Sequence, residues 1–215
     1  MMKPSRELEA VVWDFNGTLI DDLDLVVRAV NVQLEKRGLP RLTPHEYREV
    51  FGFPVEDYYR RIGLDFRTES MAELAAGFFK EYAPGLPECP LHEGVIEAIA
   101  AFAKRSIRQF VLSAMEEEML HNTLEVLGIR DHFVAAYGLA HQEGDSKISR
   151  GRQLLADHSI CPEETLMIGD TDHDAEVAAE LGMSAVLVST GHQSAPRLQA
   201  TGQPVYGSLR ALACE

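Results

Sequence analysis

Short runs of apolar and β-branched residues recur along the chain, and longer segments with the spacing of helices separate most of them. The runs lie at Ala10–Phe15, Gln109–Ser113, Phe133–Tyr137, Thr165–Ile168 and Ala185–Val188. Their length and near-continuous apolar character are typical of strands buried on both faces. Strands that alternate with helices indicate a parallel sheet with helices packed on either side. The pattern therefore predicts an α/β fold with a Rossmann-like parallel sheet at its core.

The stretch between the first two predicted strands is unusually long and shows no strand pattern. Its helical segments each stop at glycine or proline, and they read DLDLVVRAVNVQLEKRG, TPHEYREVFG, PVEDYYRRIG and TESMAELAAGFFKEYAPG. Glycine and proline are common signals for a helix end. We predict an α/β core from residues 1–20 and 87–215 and an inserted all-helical cap over residues 21–86. Within the cap, the segment SMAELAAGFF is interpreted as core packing.

The charge of the chain limits its partners. Its 215 residues include 34 acidic and 20 basic ones, for a formal net charge of −14. This charge repels the phosphate backbone of nucleic acid and argues against such a partner. The N-terminal segment MMKPSRELEA has no apolar stretch of signal-peptide length, and no window approaches the ~20 apolar residues of a membrane span. We expect a cytoplasmic protein with no membrane partner, and the sequence carries no signal for its oligomeric state.

Three of the predicted strands end on polar residues, which are Asp14, Ser113 and Asp170. Ligands bind at the carboxyl ends of parallel strands because loops and helix N-termini converge there. Each residue also has an ordinary structural interpretation. Asp14 precedes an Asn-Gly dipeptide that is typical of tight turns, and Ser113 stands three residues before Glu116, the spacing of a helix capping box.

The same ambiguity applies to two later segments. Thr171 stands three residues before Asp174, so this pair can cap a helix. Lys147 lies near a predicted helix start, where a lysine is normally solvated. Each ordinary interpretation is common on its own, but the joint occurrence of these residues at strand ends indicates a functional site.

In combination these residues resemble the motifs of the haloacid dehalogenase superfamily of hydrolases, in the branch with a helical cap after the first motif. The first motif of that family, Asp-x-Asp-x-Thr after an apolar strand, stands here as DFNGT and starts at Asp14. The second, a Ser or Thr at the end of the next strand, is matched by Ser113, and the third, a lone lysine, by Lys147. The fourth, Gly-Asp-x-x-x-Asp, stands as GDTDHD with Asp170 and Asp174. The match covers almost the whole chain, and the chain looks most similar to phosphoglycolate-phosphatase-like members.

The resemblance implies Mg²⁺-dependent hydrolysis of a small phosphorylated metabolite through an aspartyl phosphate on Asp14. The implied metal ligands are Asp14, Asp170, Asp174 and the backbone carbonyl of Asn16. The implied phosphoryl-binding residues are Gly17, Thr18, Ser113 and Lys147. This chemistry suits a phosphate ester, because a carboxylate can approach the anion only where cations and hydrogen-bond donors offset the repulsion.

Asn16 departs from the family pattern. In family phosphatases an aspartate at this position protonates the leaving oxygen and then activates the water that clears the phosphoenzyme. An amide only donates and accepts hydrogen bonds, so Asn16 cannot carry a proton at neutral pH. General acid–base catalysis is typically worth ~10²–10⁴-fold, so its loss weakens turnover without abolishing it. The Asn16-Gly17 step could also deamidate and restore an acid.

Three hypotheses follow from this departure. The first is a phosphatase that acts on esters whose leaving group needs little protonation, or that uses Asp21 or Asp22 as the acid. The second is cleavage of a carbon–halogen or phosphonate bond, although the paired acids Asp170 and Asp174 favour magnesium over dehalogenation. The third is a protein that binds a phosphorylated metabolite with little turnover.

The predicted cap carries the candidates for substrate selection. Tyr58, Arg60, Arg61 and His45 could grip an anionic tail, but an Arg-Arg pair beside tyrosines is more often a solvated helix edge with a half-buried aromatic. His173 lies between acids of the fourth motif and is interpreted as a helix-start residue rather than a metal ligand. A cap over the sheet edge would restrict the site to small substrates.

Overall fold

A single parallel sheet of six strands forms the centre of the protein, in a computed structural model that describes residues 7–140 and 146–212. The strand order is β3-β2-β1-β4-β5-β6. The strands are β1 (Ala10–Trp13), β2 (Arg108–Glu116), β3 (Ala135–Leu139), β4 (Thr165–Gly169), β5 (Ser184–Val188) and β6 (Val205–Tyr206). The predicted α/β fold is therefore confirmed. The strand β6 was not predicted, because two residues are too few to show a pattern.

The predicted boundaries of β1, β2 and β3 were wrong. The strand β1 ends at Trp13 rather than at Phe15. Phe133 does not belong to β3, because it closes a short 3₁₀ turn at Arg130–His132 and its side chain packs into the core. The strand β2 does not end at Ser113 but continues to Glu116 and pairs irregularly with β3 over its last residues. All of these errors concern strand ends, where local propensity is weak and tertiary pairing decides.

The helices of the protein begin mostly at residues typical of helix N-termini. They are α1 (Leu23–Glu35), α2 (Pro44–Val50), α3 (Val55–Arg61), α4 (Met71–Tyr82), α5 (Val95–Lys104), α6 (Glu117–Val126), α7 (Lys147–Asp157), α8 (Asp172–Leu181), α9 (Ala195–Gln199) and α10 (Leu209–Leu212). Capping boxes start α2 at Thr43 and α4 at Ser70. In each, the N-cap side chain accepts from a backbone N–H three residues later, and the glutamate there accepts from the N-cap backbone N–H. None of the helices in the described residues is long and apolar enough to cross a lipid bilayer.

The strand β1 shows why the apolar runs are continuous. Val11 and Trp13 point into one hydrophobic cluster, while Ala10 and Val12 point into another on the opposite face of the sheet. A strand with both faces covered by helices has no solvent-facing positions. The Trp13 ring packs edge-on against Phe102, with ring centroids 5.7 Å apart.

Helices α1 to α4 form the insert between β1 and β2. The two ends of the insert lie side by side, since the backbone N–H of Asp21 donates to the carbonyl of Pro90 and that of His92 donates to Leu19. Helices α1 and α4 pack against each other. The division into a core and a cap over residues 21–86 stays a prediction, with which this arrangement agrees.

Candidate active site

The carboxyl ends of β1 and β4 place two acids next to each other. Asp14 follows β1 and Asp170 follows β4, and the Asp14 N–H donates to the carbonyl of Ile168 across the pair of strands (2.8 Å). Both side chains are buried, at 7% and 0% exposure. This placement is the geometric consequence of parallel pairing, which brings equivalent strand ends to one edge of the sheet.

Lys147 joins two of the acids. Its Nζ lies 2.5 Å from Asp14 Oδ1 and 2.6 Å from Asp174 Oδ1. The residue begins α7, directly after the N-cap Ser146, and its side chain is 4% exposed. The solvated lysine that ordinarily occupies a helix start is therefore not what the structure shows. The ammonium group is a fixed positive charge beside the acid at the end of β1.

Burial and mutual repulsion shape the protonation of the acids. Burial raises the pKa of Asp14, although Lys147 acts against it, and raises the pKa of Asp170 well above its ordinary value. Burial also acts on Asp174, but the attraction of Lys147 outweighs it and lowers the pKa. The same carboxylates outweigh desolvation at Lys147 and raise its pKa, so the amine stays charged.

The acid cluster fits a divalent cation. Asp14, Asp170 and Asp174 each offer a carboxylate oxygen, and the three oxygens lie within 4.8 Å of one another. Burial is the main cause of the raised pKa of Asp14 and Asp170, and repulsion from Asp174 adds to it. Buried hard oxygen donors of this kind suit Mg²⁺.

The turn after β1 packs tightly on the cluster. Thr18 is fully buried, and its Oγ1 donates to Asp170 Oδ1 (2.8 Å) and lies 3.3 Å from Asp14 Oδ2. Gly17 has a φ of +74°, and a Cβ at this position would lie 2.4 Å from Asp170 Oδ2. A side chain is therefore excluded both by the backbone conformation and by the neighbouring acid. The Asn16-Gly17 dipeptide therefore forms a tight turn, as its sequence suggests, and also packs against the candidate site.

Ser113 lies at the same edge but does not cap a helix. Its Oγ accepts a hydrogen bond from the backbone N–H of Met115 (3.0 Å), which leaves its own O–H available to donate. The N-cap of α6 is Glu116, whose carboxylate accepts from the backbone N–H groups of Glu118 and Met119. The capping-box interpretation of Ser113 was wrong, because β2 runs three residues further than its apolar pattern indicates.

The fourth motif combines a helix start with the acid cluster. Asp174 Oδ2 accepts hydrogen bonds from the N–H groups of Asp170 and Thr171 and from the Thr171 hydroxyl, while its Oδ1 accepts from Lys147. The capping interpretation and the functional one are thus both compatible with this residue. His173 is the second residue of α8 and stacks on Phe53 (4.5 Å between ring centroids), outside the acid cluster, as its helix-start interpretation predicts.

Asn16 belongs to a second polar network beside the acids. Its Nδ2 donates to Asp22 Oδ2 (2.9 Å) and to the Tyr82 hydroxyl (2.8 Å), which itself donates to Asp22 Oδ2 (2.7 Å). Asp22 also accepts from the Gly17 N–H. Of the two alternative acids that the sequence offers, Asp22 is buried in this network at 1% exposure, whereas Asp21 is exposed.

His192 completes the network and was not found by sequence reasoning. It lies in the loop after β5. Its ring atom Nε2 is 3.1 Å from Asp22 Oδ1, and its backbone N–H donates to Asp170 Oδ2. Burial alone would lower its pKa, but the attraction of Asp22 prevails and raises it to about 9. His192 in turn holds the pKa of Asp22 below its ordinary value. The sequence signal that could have identified His192 was its position as a polar residue shortly after the strand predicted at Ala185–Val188.

A cavity of about 280 Å³ lies between the sheet edge and the inserted helices. Asp14, Asn16 and Lys147 line its floor, and aromatic side chains of the insert line its walls. The aromatic residues include Tyr47, Phe51, Tyr58, Phe78 and Phe79. The insert thus covers the acid cluster with an apolar chamber.

The four cap candidates occupy different positions. Tyr58 is buried and lines the cavity, while Arg60 pairs with acids of its own helix and Arg61 donates to the carbonyl of Val50. His45 is exposed and is not among the lining residues.

The Lys147→Met variant is expected to lose about 3–5 kcal/mol of unfolding free energy at neutral pH, because it leaves buried carboxylates without their cation. Without the ammonium, burial raises the folded-state pKa of these acids above the unfolded value, so stability falls as pH rises. The loss should therefore shrink toward pH 4. Urea denaturation in EDTA measures it, with Lys36→Met as the control, since exposed Lys36 pairs with Glu81 at the surface. Equal losses of unfolding free energy in the two variants would contradict the role of Lys147 as the cation that the buried carboxylates require.

Comparisons with known proteins agree with the geometry. The family model for haloacid dehalogenase-like hydrolases matches residues 11–188. A phosphoglycolate phosphatase of Synechococcus elongatus is 27% identical over 187 residues, which cover 86% of this chain and 85% of that protein.

Solved structures show the same fold over nearly the full length. A haloacid dehalogenase-like family protein of Streptococcus pneumoniae superposes with a TM-score of 0.83 at 22% identity, covering 96% of this chain and 98% of that one. Protein tyrosine kinase A of Mycobacterium tuberculosis superposes with a TM-score of 0.79 at 25% identity, covering 96% and 97%. With a family model that matches most of its length, the chain belongs to the haloacid dehalogenase-like hydrolases.

Proposed function

We propose that the protein is a phosphatase that hydrolyses small phosphate monoesters, with Asp14 as the nucleophile. The observation that carries the proposal is the position of Lys147 Nζ between Asp14 and Asp174 on the floor of the cavity. A phosphoryl group in front of Asp14 would meet this ammonium and the hydroxyl of Ser113. Charge neutralisation and positioning supply most of the catalysis of phosphoryl transfer.

The residues have distinct roles in this reaction. An oxygen of Asp14 attacks phosphorus, the ester bond breaks, and the phosphoryl group is carried as an aspartyl phosphate until water hydrolyses it. Lys147 and Ser113 hold the phosphoryl oxygens, and Thr18 holds Asp170 in place. Asp174 orients Lys147 through a charge-assisted hydrogen bond.

Mg²⁺ is the proposed cofactor. Asp14, Asp170 and Asp174 would hold it together with the backbone carbonyl of Asn16. When bound, the ion supplies the positive charge that reduces repulsion between the Asp14 carboxylate and an anionic substrate. The proposed substrates are small phosphorylated metabolites, since the insert covers the site; some relatives are named phosphoglycolate phosphatases.

The test is phosphate release from a panel of phosphate monoesters with Mg²⁺ and after EDTA treatment. Turnover that requires the metal is expected, because three buried carboxylates with one ammonium leave the site short of positive charge. Adding Mg²⁺ back after EDTA treatment should restore activity and raise the midpoint temperature of thermal unfolding. Ca²⁺, which prefers looser coordination, serves as the control ion. Binding of phosphorylated ligands without release of phosphate would instead support the binding-protein hypothesis. Release of halide from a haloacid, or cleavage of a phosphonate bond, would instead support the carbon–halogen or phosphonate hypothesis.

A further inference from the structure

The cavity wall above the candidate nucleophile is aromatic on two sides. Tyr47, Phe51 and Tyr58 form one packed group, with the Phe51 and Tyr58 ring centroids 5.2 Å apart. Phe78 and Tyr82 form another on α4, stacked at 5.1 Å. The hydroxyl of Tyr82 accepts a hydrogen bond from Asn16, so this wall begins directly beside the acid cluster. The part of a substrate that extends away from phosphorus would therefore lie between aromatic rings.

Positive charge is confined to the floor of the cavity. Among its described lining residues, the cations are Lys147, which contacts Asp14, and His192, which is paired with Asp22. Arg48, which follows Tyr47 in the sequence, does not add a charge to this wall. Its guanidinium donates to the backbone carbonyls of Gly191 and Thr190. A carboxylate or second phosphate on the leaving group would be buried without a partner, which is strongly unfavourable.

The floor also constrains the leaving group. Asn16 cannot donate a proton to a departing oxygen. A phenol ionises near pH ~10, whereas an alkyl hydroxyl is a much weaker acid, so only the phenolate departs readily without protonation. The missing acid and the aromatic wall are independent features of the molecule, and both favour the same leaving group.

We infer that the substrates are phosphate monoesters of phenols, a specificity that rests on the proposed phosphatase function. The ring lies between the Phe51 and Phe78 walls while the phosphoryl group faces Asp14. An Asp14 oxygen bonds to phosphorus as the P–O bond to the ring oxygen breaks, and the phenolate leaves with the electron pair and takes a proton from bulk water. Water then attacks phosphorus, which restores the Asp14 carboxylate and yields phosphate and one proton. A cavity of about 280 Å³ accommodates a substituted ring, since about 150 Å³ suffices for benzene.

The first experiment compares kcat/KM for phenyl phosphate, 2-phosphoglycolate, glycerol 3-phosphate and acetyl phosphate, all with Mg²⁺. We expect phenyl phosphate to exceed both alkyl esters by ~100-fold or more, the range of general acid catalysis. Ring substituents that lower the phenol pKa should raise kcat steeply. Acetyl phosphate reports on the acid cluster alone, because it has a good leaving group and no ring.

The second experiment locates the preference in the cavity. Phe78→Ala removes part of the wall and Ala75→Phe fills the space, and each should lower the ratio of kcat/KM for phenyl phosphate to that for acetyl phosphate by about tenfold, the value of a well-packed contact. Both residues line the cavity. Phe66→Ala is the matched control, because Phe66 lies under the Arg60 guanidinium and is not a lining residue. Its ratio should stay unchanged.

The outcomes separate this specificity from the proposed function. Preference for phenyl phosphate that falls in both cavity variants supports the specificity. If acetyl phosphate is hydrolysed but 2-phosphoglycolate outcompetes phenyl phosphate, or the variants leave the ratio unchanged, the specificity is overturned and the phosphatase function stands. If no ester or acetyl phosphate is hydrolysed by the folded, Mg²⁺-loaded protein, both are overturned.

Discussion

Asp14→Asn is expected to reduce the rate of phosphate release by ~10³-fold or more while the protein stays folded. The amide is nearly the same size as the carboxylate but cannot attack phosphorus. Burial raises the pKa of Asp14, so its ionised form is not required for folding. Replacing it should leave the urea midpoint in EDTA unchanged or slightly higher. Lys147 keeps its second partner, Asp174.

The measurement combines steady-state kinetics with intact mass. Wild-type protein quenched during turnover should carry one additional phosphoryl group, and Asp14→Asn should carry none. Asp14→Glu is an informative companion, because it keeps the carboxylate but moves it by one methylene, and it should also be severely impaired. Residual activity of Asp14→Asn near the wild-type level would rule out Asp14 as the nucleophile.

Asn16→Asp is expected to raise turnover of alkyl phosphates by ~10²–10⁴-fold. In the structure Asn16 Nδ2 lies 2.9 Å from Asp22 Oδ2. A carboxyl in its place would face another carboxylate, and this repulsion raises its pKa toward the neutral range, where a general acid is most useful. The gain should be much smaller for phenyl phosphate, whose leaving group needs little protonation.

The double variant Asn16→Asp with Asp14→Asn is the control, and it should be inactive. Asn16→Ala separates the new acid from the loss of hydrogen bonds to Asp22 and Tyr82, and it should show no gain. Intact mass and peptide mapping exclude prior deamidation of the Asn16-Gly17 step. If Asn16→Asp brings no gain for alkyl esters, another group already supplies the proton, and Asp22→Asn is the variant to measure next.

The five longer strands of a parallel sheet and the acids at their ends were predictable from the sequence. Apolar runs report burial on both faces, and in a parallel sheet the residues that follow neighbouring strands must meet at one edge. Asp14 and Asp170 are therefore brought together by topology alone. The departure at Asn16 was equally visible, because it concerns the identity of one residue in a short motif.

Other features depended on packing between distant elements. The segment SMAELAAGFF was interpreted as core packing, and Leu74 is buried there, while Met71 and Phe78 pack against the same core but also line the cavity. Helical spacing shows that a face is apolar; it does not show whether a neighbouring helix or an open space lies against that face.

The sequence by itself determined the α/β fold, the helical insert and the acids of the motifs, since these follow from local patterns and from short-range order. Only the tertiary structure decided that His192 pairs with Asp22, that Tyr82 contacts Asn16, and that the chamber over the site is aromatic. Those partners are separated by 170 and 66 residues along the chain. Contacts at such separations leave no periodic signal, because they are set by how the insert folds back over the sheet edge.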